Sequence, residues 1–176
     1  MDATQTHREL IERCRQGMRD AQFELYRLYS RAMYNTALRM VQNPHDAEDL
    51  LQSVFIEVFT KMDSFRFESS LGSWIKRITV NKCINFLKSR RMTFAELMPN
   101  TDREDTPPET EAEPRYTVDS INRAIGRLPE GYRVVFTLYA VEGYDHEEIG
   151  QILGITEATS KSQYSRAKTK LREILN

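Results

Sequence analysis

Apolar positions recur every three or four residues through most of this chain, which is the period of an α-helix and not of a strand. From Gln22 to Met40 they fall at Phe23, Tyr26, Leu28, Tyr29, Met33, Leu38 and Met40, predicting one amphipathic helix. "NPHDAEDLLQSVFIEVF" predicts a second, with a strong start: Asn43 can cap, Pro44 suits the first helical position, and Asp46, Glu48 and Asp49 complement the positive helix end. Its buried stripe should be Leu50, Val54, Phe55, Val58 and Phe59. "SFRFESSLGSW" reads as a loop, and a third helix is predicted from about Leu71 to Arg91.

The pattern then breaks. Residues 93–114, "TFAELMPNTDREDTPPETEAEP", hold seven acids (Glu96, Asp102, Glu104, Asp105, Glu109, Glu111 and Glu113) against the one base Arg103, with Pro107, Pro108 and Pro114. So little apolar surface cannot offset the entropy of ordering, so the segment reads as an extended linker. Helical patterning resumes in "VDSINRAIGRLPEGYRVVFTLYAVEGYDHEEIGQILG". The expected fold class is therefore all-α: an N-terminal helical extension over 1–19, a helical domain over 20–92, a linker over 93–115 and a second helical domain over 116–176.

Composition narrows the possibilities. Of 176 residues 40% are apolar, enough to bury a core, and the net charge of −1 leaves the distribution of charge to decide what is bound. The Met-Asp-Ala-Thr-Gln start lacks a signal pattern and no apolar run approaches membrane-spanning length, so a cytoplasmic protein is expected. Cys14 and Cys83 read as ordinary helical cysteines of a reducing compartment, and His7, His45 and His146 lack ligand spacing, so neither metal nor cofactor is expected. Without a phosphate-binding glycine loop or a nucleophile–base pair, a small helical enzyme is disfavoured.

The most informative stretch is "DHEEIGQILGITEATSKSQYSRAK", residues 145–168. Asp145 can cap a helix bearing Ile149, Ile152 and Leu153, Gly154 supplies the positive φ of a tight turn, Ile155 plugs the corner and Thr156 caps the next helix. The buried line of that helix is expected along Tyr164, Ala167, Leu171 and Ile174. This is the helix-turn-helix plan, whose second helix enters the DNA major groove. Between Glu157 and Asn176 lie Lys161, Arg166, Lys168, Lys170 and Arg172 against Glu157 and Glu173, whereas the preceding helix is acidic. Any helical hairpin needs a turn glycine, and basic helix ends are favoured by the dipole alone, so the motif is not decisive by itself. Ser160 departs from the motif, which usually buries Val or Ile there.

The 71–91 helix adds a second basic surface. It carries Lys76, Arg77, Lys82, Lys88, Arg90 and Arg91 and no acid; Arg77, Asn81, Asn85 and Lys88 share one face, opposite Ile75, Ile78, Cys83, Phe86 and Leu87. Such a face can meet phosphates and hydrogen-bond to bases. Phe65, Phe67 and Trp74 bracket the loop before it, as capture of an unstacked base requires, while a place in the core is at least as good a reading of each ring taken singly. Trp74 reads mainly as core, and "FRFESS" as the better candidate for base contact.

Three motifs, "DAEDLLQSVFIEVF", "F…SSLGSWIKRITVNKCINFLKSRR" and "LPEGYRVVFTLYAVEGYDHEEIGQILGITEATSKSQYSRAKTKL", in that order around an acidic linker, resemble an extracytoplasmic-function (group IV) RNA polymerase sigma factor of the sigma-70 family. The resemblance covers roughly residues 20–92 and 117–175, and the Thr-Ser-Lys-Ser-Gln wording is similar to factors of Bacteroidetes type. It implies a non-catalytic subunit that binds core RNA polymerase, through the β′ clamp helices and the β subunit, and promoter DNA, commonly under a membrane-bound anti-sigma factor, with no small-molecule substrate. Carried over by position, it implies core-polymerase contacts at Asp46, Asp49, Gln52 and Ser53. The −10 contacts would be Phe65, Arg66, Phe67, Ser69, Arg77, Asn81, Lys82 and Asn85, and the −35 contacts Lys161, Ser162, Ser165, Arg166 and Lys168. The linker offers a check. Its 22 residues reach about 75 Å when extended at ~3.4 Å each, close to the roughly 68 Å between sites about 20 base pairs apart, whereas a free coil averages about 26 Å. It spans both only if held stretched. The competing reading is an autonomous helix-turn-helix regulator, which leaves the basic 71–91 helix unexplained.

Overall fold

The computed structural model describes residues 3–90 and 116–176, with side chains from His7 onward. The predicted linker over 93–115 and the end of the third predicted helix at Arg91 lie outside the described residues. Within them every regular element is helical: α1 (Ala3–Arg15), α2 (Arg19–Val41), α3 (Pro44–Thr60), a 3₁₀ turn (Met62–Ser64), α4 (Leu71–Arg90), α5 (Val118–Gly126), α6 (Glu130–Phe136) running into a π-helical turn (Thr137–Val141), α7 (His146–Leu153) and α8 (Glu157–Leu175). The all-α expectation holds. The chain divides into two compact units, Met1–Cys83 and Ile84–Asn176.

In the first unit the boundary between α2 and α3 is set by two adjacent side chains. Gln42 takes the left-handed conformation that ends α2, φ 56°, and its amide donates to the carbonyls of Leu38 (3.2 Å) and Arg39 (2.9 Å). Those bonds satisfy helix-end acceptors and offset the conformational cost of a non-glycine residue there. Asn43 Oδ1 accepts from the amides of His45 (2.9 Å) and Asp46 (3.2 Å), the predicted cap, with Pro44 in the first turn. The core joins Leu10, Ile11 and Cys14 of α1 to Ala21, Leu25 and Met33 of α2, Leu51, Val54, Phe55 and Val58 of α3, and Leu71, Ile75 and Ile78 of α4. So α1, expected as an extension, is part of the core.

The buried face of α2 differs from the periodicity reading. It runs through Ala21, Leu25, Met33, Ala37 and Met40, while Phe23 is 62% exposed and Leu28 also faces solvent. A stripe at four-residue steps uses small alanines where helices approach closely, and ranking positions by side-chain size overlooks them.

In the second unit Thr117 caps α5, its hydroxyl accepting from the Ser120 amide at 3.2 Å. Val134, Val135 and Leu138 of α6 and the π turn are fully buried with Ile149 and Leu153 of α7 and Ala167 of α8. Arg133 is buried among them and donates to the Leu128 carbonyl at 3.0 Å.

Candidate nucleic-acid and protein interfaces

The turn between α7 and α8 is built as its residues require. Asp145 Oδ1 accepts from the Glu148 amide at 2.8 Å and the Glu148 carboxylate accepts from the Asp145 amide at 2.9 Å, a capping box that satisfies two orphan donors. Gly154 has φ 73°, and the amides of Gly154 and Ile155 both reach the Gly150 carbonyl, at 2.9 and 3.0 Å. Thr156 caps α8 by accepting from the Thr159 amide at 3.0 Å. Gly150 is the member that pattern reading missed. A Cβ on it would sit 2.8 Å from the Ile155 carbonyl oxygen, so only glycine lets the turn close this tightly over α7.

The inner line of α8 corrects the expected one. Ser160 and Gln163 are buried with Ala167, at 0% and 2% exposure, while Tyr164, Leu171 and Ile174 are only half-buried. The Ser160 hydroxyl lies 2.9 Å from His146 Nδ1, so the serine that breaks the motif has its polar partner on α7. His146 stacks on Tyr139 with ring centroids 4.2 Å apart, and Tyr164 closes on both rings at 4.5 and 5.7 Å. Burial foremost, then the Lys161 charge, lowers the pKa of His146, and burial raises that of Tyr164.

With that line turned inward, Lys161 and Ser162 are exposed and Ser165, Arg166 and Lys168 half-exposed on the outer side. Lys161 pairs with Glu157 at 2.6 Å, and Lys168 lies 5.0 Å from the Tyr164 ring centroid. The expected −35 set is thus one patch, with part of its charge answered internally.

On α4, Arg77, Asn81, Asn85 and Lys88 are all exposed, while Ile75, Ile78, Val80, Cys83, Ile84 and Leu87 are buried. Both cysteines are buried free thiols, and burial raises the pKa of Cys14. Lys82 stands apart from the exposed face: it is half-buried, and its ammonium is 2.9 Å from Glu57 of α3. Glu57 also holds Lys61 at 2.6 Å, and the hydrogen bonds from Lys61 and Lys82 lower its carboxyl pKa.

The loop before α4 separates its aromatics. Phe65, expected to meet bases, is 3% exposed and packs on Trp74 at 5.2 Å between centroids, because the chain turns inward there and its ring fills the core of the first unit. Trp74 is half-buried, as its expected core role requires. Phe67 is the outward ring, 40% exposed, on a backbone with φ 61°. Arg66 and Ser69 are exposed beside it.

On α3, Asp49, Gln52 and Ser53 are exposed and Asp46 half-exposed. Asp49 lies 3.2 Å from His45 Nδ1. Ile56, 68% exposed, extends the same face one turn further. Its distance of seven from Asp49 was the available signal, obscured because an isoleucine reads as core.

Two family models match the chain: "Sigma-70 region 2" over residues 25–93 and "Sigma-70, region 4" over 119–171. RNA polymerase sigma factor CarQ of Myxococcus xanthus is 31% identical over 94% of this chain and 95% of its own length. The ECF RNA polymerase sigma-E factor of Haemophilus influenzae is 30% identical over 93% and 92%. ECF RNA polymerase sigma factor SigE of Mycolicibacterium smegmatis is 33% identical over 86% of this chain, which spans 60% of that relative's length. Among solved structures, the sigma factor RpoE in complex with the anti-sigma factor NepR from Bartonella quintana aligns with TM-score 0.56 and 24% identity over 86% of this chain and 94% of its own. CnrH in complex with the cytosolic domain of CnrY aligns with TM-score 0.56 and 23% identity over 96% of each. These two establish likeness of fold. With both sigma regions matched in order, and full-length relatives at 30% identity or above, the chain belongs to the extracytoplasmic-function RNA polymerase sigma factors of the sigma-70 family.

Proposed function

We propose that this chain carries core RNA polymerase to promoters by gripping two DNA elements at once, with residues 20–92 acting as region 2, 116–176 as region 4, and 93–115 as the tether between them. The observation that carries the reading is the pair of outward polar faces in one chain. On α8 they are Lys161, Ser162, Ser165 and Arg166; on the acid-free α4 they are Arg77, Asn81, Asn85 and Lys88. The first suits the −35 duplex, where a helix reads base edges in the major groove. The second, with Phe67, Arg66 and Ser69, suits the −10 element, where opening the duplex exposes bases that stack on aromatic rings.

Melting in this scheme is driven by the binding energy of the displaced strand, without nucleotide hydrolysis by this chain. The α3 face of Asp46, Asp49, Gln52 and Ser53, with Ile56, docks on the polymerase β′ clamp helices, since polar groups around one exposed apolar side chain fit a protein partner better than phosphate. A membrane-bound anti-sigma factor is the proposed regulator and the cytoplasm the proposed site of action. The Bacteroidetes wording of α8 belongs with the same proposal. No helix among the described residues is long and apolar enough to cross a membrane. An autonomous regulator would bind duplex DNA without polymerase and leaves the α4 face idle. In-vitro transcription with purified core enzyme tests the choice: promoter-specific initiation should occur only when this chain is added, with footprints over both elements. Duplex binding by the chain alone, with no initiation, refutes it.

A further inference from the structure

The region 2 match begins at residue 25, so α1 lies outside it and nothing assigns that helix a part in promoter opening. Its last residue, Arg15, reaches across to the segment that joins α3 to α4. Each guanidinium nitrogen is engaged there or on α1. Nε donates to the Met62 carbonyl at 3.4 Å, one terminal nitrogen donates to the Phe65 carbonyl at 2.6 Å, and the other lies 3.5 Å from the Glu12 carboxylate. The same group sits 5.6 Å from the centroid of the Phe67 ring. We infer that Arg15 is a positioning residue for promoter opening: it ties the 62–67 backbone to α1, so that the 65–70 loop holds its binding shape before DNA arrives. This rests on the reading that the loop meets the −10 element.

Three observations carry this. The two carbonyls that Arg15 grips flank the 3₁₀ turn Met62–Ser64, which closes itself only through the Ser64 amide on the Lys61 carbonyl at 2.9 Å and the Phe65 amide on the Met62 carbonyl at 3.2 Å. A turn that short has poor hydrogen bonds of its own, so a charged donor from outside adds much to its persistence. The Arg15 side chain is only 24% exposed, which limits the competition from water. Next, the backbone here has a demanding path. Phe65 is turned into the core at 3% exposure and Phe67 outward at 40%, with φ 61° at Phe67, a conformation that side-chain-bearing residues seldom adopt. Arg15 holds that path at the carbonyl between the two rings. Lastly, the neighbouring arginine does different work. Arg13 pairs with Asp20 and, at 3.6 Å, with Glu24, both exposed on α2. The last turn of α1 thus fastens itself to α2 with one guanidinium and fastens the loop with the other.

The test pairs hydrogen exchange on the full chain with strand binding by holoenzyme reconstituted from that chain and core polymerase. In Arg15→Ala the amides of residues 61–70 should exchange faster while those of α3 keep their protection. Holoenzyme affinity for the non-template −10 strand of a promoter located by mapping transcript starts should fall roughly tenfold, as it does when the competent loop drops to a tenth of the population. Core-enzyme affinity should not move. Because Arg15 acts through the loop, the log–log salt slope should stay constant, whereas loss of a direct phosphate contact would lower it by roughly 0.7. Arg15→Lys keeps the charge without the planar fork, so it should reproduce both effects and guards against a folding defect. Arg13→Ala, which removes a charge from the same turn, should reproduce neither. If loop exchange is unchanged in both Arg15 variants, if the salt slope falls, or if Arg13→Ala does as much, the inference is overturned and the loop reading stands. Faster loop exchange with −10 affinity intact would instead sink the loop reading, and the inference with it.

Discussion

Replacing Ser160 by alanine removes one oxygen from the centre of the second unit, and its cost can be worked from the surroundings. The hydroxyl is buried with His146 Nδ1 as its partner at 2.9 Å. Losing such a bond costs about 0.5–1.5 kcal/mol, more when a buried partner is left unsatisfied. His146 is half-buried, so water can partly replace the hydroxyl, and we expect about 1–2 kcal/mol in all. In a unit of this size that lowers Tm by roughly 4–8 °C per kcal/mol. His146→Phe in the same chain keeps the stack on Tyr139 and needs no polar partner, so the double variant should recover most of the loss. Urea unfolding of the full chain reads this out, with an internal control: Trp74, the one tryptophan, sits in the first unit, so its emission should not move while far-UV circular dichroism reports the second transition. The pair also has a pH signature. Because the pKa of His146 is lowered in the folded state, its stabilising contribution is present above the unfolded value near 6.5 and is lost as pH falls through the folded pKa. Second-unit stability should therefore rise with pH in the window just below 6.5, and His146→Phe should flatten that slope. Were Ser160→Ala silent, or the double variant no better than the sum of the singles, the bond would not contribute to the stability of the second unit.

Other outcomes follow from the same packing. Glu57→Gln takes the charge from the partner of Lys82, so affinity for −10 DNA should rise and the salt dependence steepen, by up to roughly 0.7–0.9 in log–log slope; an unchanged slope places Lys82 away from phosphate. Gly150→Ala gains helix propensity but presses a methyl against the Ile155 carbonyl, for a net loss of about 1 kcal/mol by thermal melts; a stabilised variant would show the turn can relax. Arg166→Ala should weaken −35 binding and reduce the salt slope by roughly 0.9. Asp49→Ala should instead weaken core-enzyme affinity in a pull-down titration without touching the −35 duplex, and intact affinity would displace the α3 interface.

Local chemistry already determined much of this protein. The Asn43–Pro44 start of α3, the Asp145 and Thr156 caps and the left-handed Gly154 each depend on residues within a few positions, so they were legible one element at a time. The exposed α4 face was legible for the same reason, since helical spacing alone groups Arg77, Asn81, Asn85 and Lys88. What only tertiary structure decided was which faces turn inward and which charges are already answered. Phe65 and Phe67 are two residues apart and chemically identical, yet one fills the core and the other stands outside. Ser160 reads as a flaw until His146, fourteen positions earlier, is placed against it, and Lys82 as a free cation until Glu57 arrives from α3. The docking of α1 against the loop is of the same kind. Burial and pairing are settled by groups distant along the chain, and helical periodicity carries no information about which helices meet.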